Sequence, residues 1–478
     1  MVFSSGIFLF QFLPIFFIGY YLLPTIRLRN LWALVASLYF YGYGEPLFVV
    51  LMGVSILVNY LFGLGIYAFR DSKARMKGLW IGSVFFNFTL LFIFKYLDFF
   101  VETANALLHL QWKAPQIPLP IGISFFTFQA YSYVYDVYIQ EDRQAYLQRN
   151  PLDLGLYISM FPQLIAGPIV RYRDIASQIR SRRLSVSATA GGIRRFLIGL
   201  SKKLLLANAM GRISADVFAE QPSEAGALFL LLGALSYSFQ IYYDFSGYSD
   251  MAIGLGRMMG FSFRENFDYP YRALSVTDFW RRWHISLSQW FRDYLYIPLG
   301  GSRKGEGRRI RNLLIVWTFT GLWHGANWTF VLWGLWYFCF LTGEKLLQKK
   351  LGKPVEEVLP SFLTYLYTMS VVLIGWVLFN SPSAAAALAY LRGMLDFLAG
   401  GLFPGRAAFY LLNFRWEYLA CIIFATDIPR RLLASPTEKL RGIQAFGILE
   451  TAIYGGLFYL CILYIMKGSY NPFIYFNF

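Results

Sequence analysis

The chain is poor in the residues that carry most soluble enzyme chemistry. Among 478 residues there are three histidines and three cysteines, and only 15% are charged, against roughly a quarter in ordinary soluble domains. Acidic residues are the scarcer sign, 27 against 43 Lys and Arg. Cys339, Cys421 and Cys461 fall singly in apolar context. That excludes a disulfide framework, a CxxC redox pair and a cysteine-based metal site, and the three read as inert core cysteines. There is no Walker loop, no GxSxG and no HExxH, so nucleotide-driven transport and serine or zinc hydrolysis have no signature.

What is present is apolar. Hydrophobic residues make up 57% of the chain and aromatics 20%, with a mean hydropathy of +0.47. A spanning helix needs about 20 mostly apolar residues. Such stretches recur near 5–23, 31–66, 78–100, 117–138, 152–170, 192–216, 225–262, 312–343, 359–379, 384–399, 408–429 and 445–466. The expectation is an all-α, multi-pass membrane protein with eleven to thirteen membrane helices, forming one integral-membrane domain over 1–478. Val2 to Leu23 lacks a basic leader and a small-residue cleavage site, so it reads as a retained span. The net charge of +16 sits in short connectors, as the positive-inside rule expects of a membrane protein rather than a nucleic-acid binder. These are Arg27/Arg29, Arg70–Lys77, Arg171–Lys203, Arg303–Arg311, Lys345–Lys353 and Arg430–Arg441.

Three segments break the pattern of simple spans. Tyr41-Gly-Tyr-Gly-Glu-Pro46 predicts a turn between two helices. Asn150 to Pro168 carries three prolines and two glycines, and broken helices at membrane depth need a buried or cavity-lining position. Residues 264–300 are too charged to face lipid and too aromatic for a solvated loop. They predict re-entrant or interfacial helices.

Two of the three histidines lie in aromatic motifs: Asp278-Phe-Trp-Arg-Arg-Trp-His284-Ile-Ser-Leu-Ser288, and Thr320-Gly-Leu-Trp-His324-Gly-Ala-Asn327-Trp328. An ionisable residue at bilayer depth is costly and usually lines a polar cavity, and histidine exchanges protons near neutral pH. His324 lies 13 residues beyond Arg311, about 20 Å along a helix and near the middle of a ~30 Å core. Trp317, Trp323, Trp328, Trp333 and Trp336 surround it in sequence, Gly321 and Gly325 leave room for a ligand or a close helix, and Asn327 is a candidate polar neighbour. A structural histidine bonded to a neighbouring helix is the plainer alternative.

Ser275 and Asp278 predict a helix start. On one continuous helix Trp280, His284, Ser288 and Phe291 share a stripe, flanked by Arg281, Arg282 and Arg292. Those arginines, with Arg303, fit a phosphorylated donor; they equally fit lipid phosphates. Asp244 and Asp250 stand in an apolar stretch and fit pairing with arginines, or orienting a histidine, better than acid catalysis. Asp136 in the Tyr-rich 131–138 run reads as structural.

The motifs resemble those of the membrane-bound O-acyltransferases. The resemblance is carried by Tyr243-Asp-Phe-Ser-Gly-Tyr-Ser-Asp-Met-Ala-Ile-Gly254, Glu265-Asn-Phe267, the two histidine motifs, and Phe291-Arg-Asp-Tyr-Leu-Tyr-Ile-Pro-Leu-Gly-Gly-Ser-Arg303. Pro120–Gln129, Phe161–Arg171 and Asn471-Pro-Phe-Ile-Tyr-Phe476 match as well, so the likeness covers nearly the whole chain, with its motif-bearing core at 120–343. Within the family it is similar to the bacterial branch of alginate and peptidoglycan O-acetyltransferases and the teichoic-acid D-alanyl transfer protein.

The resemblance implies a ring of spans around a central tunnel in the bacterial cytoplasmic membrane. His324 corresponds to the family's intramembrane histidine, the expected general base, and His284 to its second catalytic position. It implies a cytoplasmic thioester donor, acetyl-CoA or an acylated carrier protein, with no bound cofactor or metal. The acceptor is an extracytoplasmic polysaccharide, reached directly or through a secreted partner acyltransferase, and Ile297-Pro-Leu-Gly-Gly301 favours acetyl over D-alanyl transfer. A different class, a proton-coupled lipid or polymer transporter, would use the same cavity with His324 as relay; a scaffold would need neither histidine.

Overall fold

Capping side chains mark several helix starts, at Thr25, Asn150, Ser275, Asn327 and Ser383. The computed structural model describes residues 1–303, 305–396, 405–429, 431 and 444–468. These form helices joined by short connectors, with no strand among the described residues. The basic connector at Arg430–Arg441, apart from Arg431, and the Asn471–Phe476 motif lie outside them. The chain folds as two compact units, one made of Met1–Phe196 with Ser249–Arg264, the other of Leu197–Tyr248 with Glu265–Phe478. The motif-bearing core contributes residues to both.

In the first unit α1 (Leu13–Leu22), α2 (Ile26–Gly42) and α3 (Phe48–Ala68) follow one another. The break between α2 and α3 falls where Tyr41–Pro46 predicted it. α4 (Lys73–Leu91) continues through a π-helical turn into α5 (Leu97–Leu108). α3 and α4 are joined by a reciprocal amide pair, Asn59 Nδ2 to Asn87 Oδ1 at 3.0 Å and Asn87 Nδ2 to Asn59 Oδ1 at 2.7 Å. Each buried amide thus meets a partner in a setting with no water to offer. α6 (Ile123–Ile139) is buried on all sides from Ile123 to Val137, and its Asp136 Oδ2 accepts from the Arg173 backbone N–H at 3.2 Å, a structural job. The proline-rich stretch is broken as expected, into α7 (Pro151–Ser159), buried from Leu154 to Ser159, and α8 (Phe161–Leu164), buried throughout.

α9 (Val186–Ser201) and the 32-residue α10 (Ala227–Met258) each supply residues to both units. In the second unit, α11 (Val276–Arg282) and α12 (Ile285–Phe291) are only seven residues each, about 10 Å of helix, far too short to span. The 264–300 region is therefore no ordinary lipid-facing helix. α13 (Glu306–His324) and α14 (Trp328–Leu351) form a close hairpin, followed by α15 (Ser361–Asn380), α16 (Ala384–Leu395), the bent pair α17 (Gly405–Asn413) and α18 (Arg415–Phe424), and α19 (Gln444–Met466).

Among the described residues five helices are long and apolar enough to cross a membrane, or six if the α17–α18 pair, bent by 69°, counts as one span. That is fewer than the eleven to thirteen expected. Hydropathy registers apolar segments, and several of these fold as short, kinked or fully buried helices. Cys339 also departs from expectation: it is exposed on α14, whereas Cys421 and Cys461 are buried.

Candidate functional site

His284 is not on a helix. α11 starts as the sequence predicts, with the Ser275 Oγ accepting from the Asp278 N–H at 3.0 Å. It stops at Arg282, Trp283 is extended, and His284 takes the left-handed conformation, φ 44° and ψ 53°, before α12 begins. The expected stripe of Trp280, His284, Ser288 and Phe291 therefore does not form. His284 is 0% exposed, while Ser288 lies on the exposed side of α12 and is no neighbour of the imidazole through its side chain.

A non-glycine residue in the left-handed region costs about 1 kcal/mol or more and persists only where its surroundings hold it. Asn266 supplies that hold. Its carbonyl accepts the Ile285 N–H at 3.0 Å. Its Oδ1 accepts the Ser286 N–H at 3.2 Å and the Ser286 hydroxyl at 2.8 Å, and lies 3.1 Å from His284 Nδ1. Neither carried a site signal of its own beyond membership of a motif, Asn266 in Glu265-Asn-Phe267 and Ser286 in Asp278–Ser288.

The far end of α11 is held by Glu344 of α14. Its carboxylate accepts the Val276 N–H at 2.7 Å, the Thr277 N–H at 2.9 Å, the Thr277 hydroxyl at 2.6 Å and the Tyr367 hydroxyl at 3.2 Å. An anion at a helix N-terminus meets both the orphan N–H groups and the positive end of the dipole.

His324 is the last residue of α13 and is 4% exposed. Its ring is boxed by Trp323, Trp333 and Phe379, with ring centres 4.8, 5.0 and 5.1 Å away. Trp323 also lies 5.7 Å from the His284 ring. The two imidazole centres are thus no farther apart than the sum of the 5.7 and 4.8 Å steps through this one indole. Phe245 of the Tyr243–Gly254 motif meets His284 edge-on at 4.6 Å. The sequence motifs that carry the two histidines do converge.

The glycines around His324 serve a close helix. A Cβ on Gly321 would lie 2.2 Å from the Phe330 carbonyl oxygen, and one on Gly325 would lie 2.1 Å from the Phe330 ring. Asn327 is a cap. Its Oδ1 accepts the Thr329 N–H at 3.0 Å and its Nδ2 donates to the Pro382 carbonyl at 3.2 Å. Of the five tryptophans, Trp317, Trp323 and Trp333 are buried, Trp328 is exposed, and Trp336 donates to the Val371 carbonyl at 2.9 Å.

The charged candidates are largely engaged. Asp244 pairs with Lys203 at 2.7 Å, both nearly inaccessible, and in the first unit Asp250 pairs with Arg195 at 2.6 Å. Both carboxylates pair with basic residues rather than standing as acids. Arg282 is held by Asp278 at 2.9 Å and Asp268 at 3.5 Å, and Arg292 by Asp293 at 2.8 Å. Arg281 and Arg303 are exposed. Burial pushes the His284 imidazole down to about 3 from 6.5, so the ring is neutral at physiological pH, since low-polarity surroundings disfavour the charged form. Its Nε2 is buried with no hydrogen-bond partner among the described residues.

Residues 123–354 match the family model of MBOAT, the membrane-bound O-acyltransferase family. The probable alginate O-acetylase AlgI of Pseudomonas putida is 39% identical over 498 residues, covering 100% of both chains. The peptidoglycan O-acetyltransferase of Helicobacter pylori is 34% identical over 523 residues, covering 100% of this chain and 98% of its own. The teichoic acid D-alanyltransferase of Bacillus subtilis is 30% identical over 243 residues, covering 48% of this chain and 60% of its own. Full-length identity at this level, joined to two buried histidines gathered about one tryptophan, makes the chain a membrane-bound acyl-transfer enzyme: it belongs to the membrane-bound O-acyltransferase family.

Proposed function

We propose that this enzyme O-acetylates an extracytoplasmic polysaccharide from the bacterial cytoplasmic membrane, taking the acetyl group from a cytoplasmic thioester, acetyl-CoA or an acylated carrier protein. The observation that carries the proposal is the pair of buried imidazoles bridged by Trp323 in a chain whose full-length relatives are named for acetylating alginate and peptidoglycan. The transporter reading of the same histidines gives way to the family assignment.

The chemistry needs little more than these groups. A sugar hydroxyl loses its proton as its oxygen attacks the thioester carbonyl carbon. The C–S bond then breaks and the thiolate leaves, recovering a proton. A positioned histidine that takes and returns that proton contributes typically 10²–10⁴-fold. His324 is the general base in this reading. His284, held neutral by burial, accepts a hydrogen bond and orients a reacting group. Arg281 and Arg303 are the arginines left to meet donor phosphates, since Arg282 and Arg292 are held by carboxylates. The acetyl group reaches the polymer directly or through a secreted partner acyltransferase.

The test uses purified full-length protein with acetyl-CoA or acylated carrier as donor and alginate or peptidoglycan as acceptor. His324→Ala is expected to bind donor within about twofold of wild type and to lose more than nine-tenths of transfer, because a base acts on the transition state and little on the ground state. Retention of more than a tenth of transfer, a barrier change under ~1.4 kcal/mol, would remove His324 as the base. Failure of the wild type to acetylate any of these polymers would overturn the substrate assignment.

A further inference from the structure

Asn266 holds three consecutive residues at once. Its backbone carbonyl takes the Ile285 N–H, and its side-chain oxygen takes the Ser286 N–H and hydroxyl and faces His284 Nδ1. The atom facing His284 is an oxygen for a reason internal to the geometry. The Ser286 backbone N–H, 3.2 Å away, can only donate, so an amide nitrogen in that place would set donor against donor. Oδ1 therefore accepts from both Ser286 donors. An unprotonated Nδ1 at 3.1 Å would set two acceptors against each other in a residue 0% exposed. The proton of the neutral ring must sit on Nδ1, and the lone pair on Nε2.

We propose that Asn266 is a positioning residue that fixes His284 in the Nδ1–H tautomer, so that Nε2 is presented as a hydrogen-bond acceptor that orients the acceptor sugar through a second hydroxyl, leaving the proton of the attacking hydroxyl to His324. The proposal deepens the acetyl-transfer reading and rests on it for the identity of those hydroxyls, but the tautomer stands on the geometry alone. The same clamp holds His284 at φ 44°, a conformation that a histidine does not keep unaided. One side chain thus fixes the backbone position of the imidazole, its ring face and its protonation pattern, which is how an orienting residue sets the direction of a hydrogen-bond acceptor.

The test is ¹⁵N NMR of the full chain, with labelled histidine, in proteoliposomes. There are three imidazoles, and the His284 signals are those lost in His284→Gln. Wild type is expected to show the Nδ1–H tautomer at His284. Asn266→Asp, which keeps an acceptor oxygen, should retain it; Ser286→Ala, which keeps the backbone donor, should retain it too. Asn266→Leu should lose the preference and lower kcat at least tenfold, with KM for donor within about threefold, and Asn266→Asp should restore part of kcat. An Nε2–H tautomer in wild type would overturn the proposal whatever the variants do, as would an unchanged tautomer and kcat in Asn266→Leu. A correct tautomer in a protein that acetylates no polymer would sink the substrate reading and leave the clamp intact.

Discussion

Gly334 of α14 lies directly against Trp317 of α13: a Cβ at Gly334 would come 2.3 Å from the Trp317 carbonyl oxygen. With Gly321 beneath the Phe330 carbonyl, this close approach sets the hairpin that carries His324 at its apex. Backbones meet this closely only where small residues allow it.

Gly334→Ala should therefore push the two helices apart. Overpacking of this kind costs about 1–3 kcal/mol, to be read as a lower unfolding midpoint in detergent. Because Trp333, next in sequence, boxes the His324 ring at 5.0 Å, transfer should fall more than donor binding. A variant as stable and as active as wild type would show that the helices have slack the geometry denies.

Glu344→Ala should weaken the anchor of α11. It strips the partner from two backbone N–H groups and two hydroxyls, and hydrogen bonds to a charged group are worth about 1.5–3 kcal/mol each. The expected outcome is a loss of at least ~2 kcal/mol in stability. Glu344→Gln, which keeps one acceptor oxygen, should fall in between. Equal stability of all three proteins would count against the clamp.

The Lys203–Asp244 pair is buried on both sides. Removing one partner takes the opposite charge from a buried ionised group, a loss of about 3–5 kcal/mol, whereas replacing both with apolar residues is often near neutral. Lys203→Met should then be worse than Lys203→Met with Asp244→Leu, measured as unfolding free energies in one double-mutant cycle. Additive losses would mean that each residue stabilises through other contacts.

Stability should carry a pH dependence that His284→Gln removes. The folded-state value is pushed down to about 3 from 6.5, so between these values the unfolded chain binds the additional proton. Stability from this group is present above about pH 6.5 and is lost as pH falls toward 3, by at most ~1.4 kcal/mol per pH unit. Unfolding midpoints of wild type and His284→Gln between pH 4 and 7 should converge on acidification. Parallel pH profiles would show that His284 is not buried neutral.

The membrane character, the break at Tyr41–Pro46, the broken segment before Pro168 and two histidine motifs set among aromatic residues were legible in the chain. Each depends on local composition: long apolar runs, proline and glycine at turns, an ionisable ring among tryptophans. The capping of α11 by Ser275 and the pairing of Asp250 with an arginine followed from the same reasoning, whereas Asp244 pairs with a lysine.

The position of His284 did not. No glycine or proline marks the break in Arg281-Arg-Trp-His-Ile-Ser286, and apolar spacing there suits one continuous helix. The helix ends because Asn266, 18 residues earlier, captures the backbone on its far side, and a long-range hydrogen bond leaves no periodicity to read. The engagement of two of the arginines was hidden for a related reason. Arg282 and Arg292 look available in sequence, but Asp268, Asp278 and Asp293 hold them once the chain is folded. Local sequence determined which residues could do chemistry in this membrane protein; packing between distant segments decided which of them met, in what conformation, and with which proton.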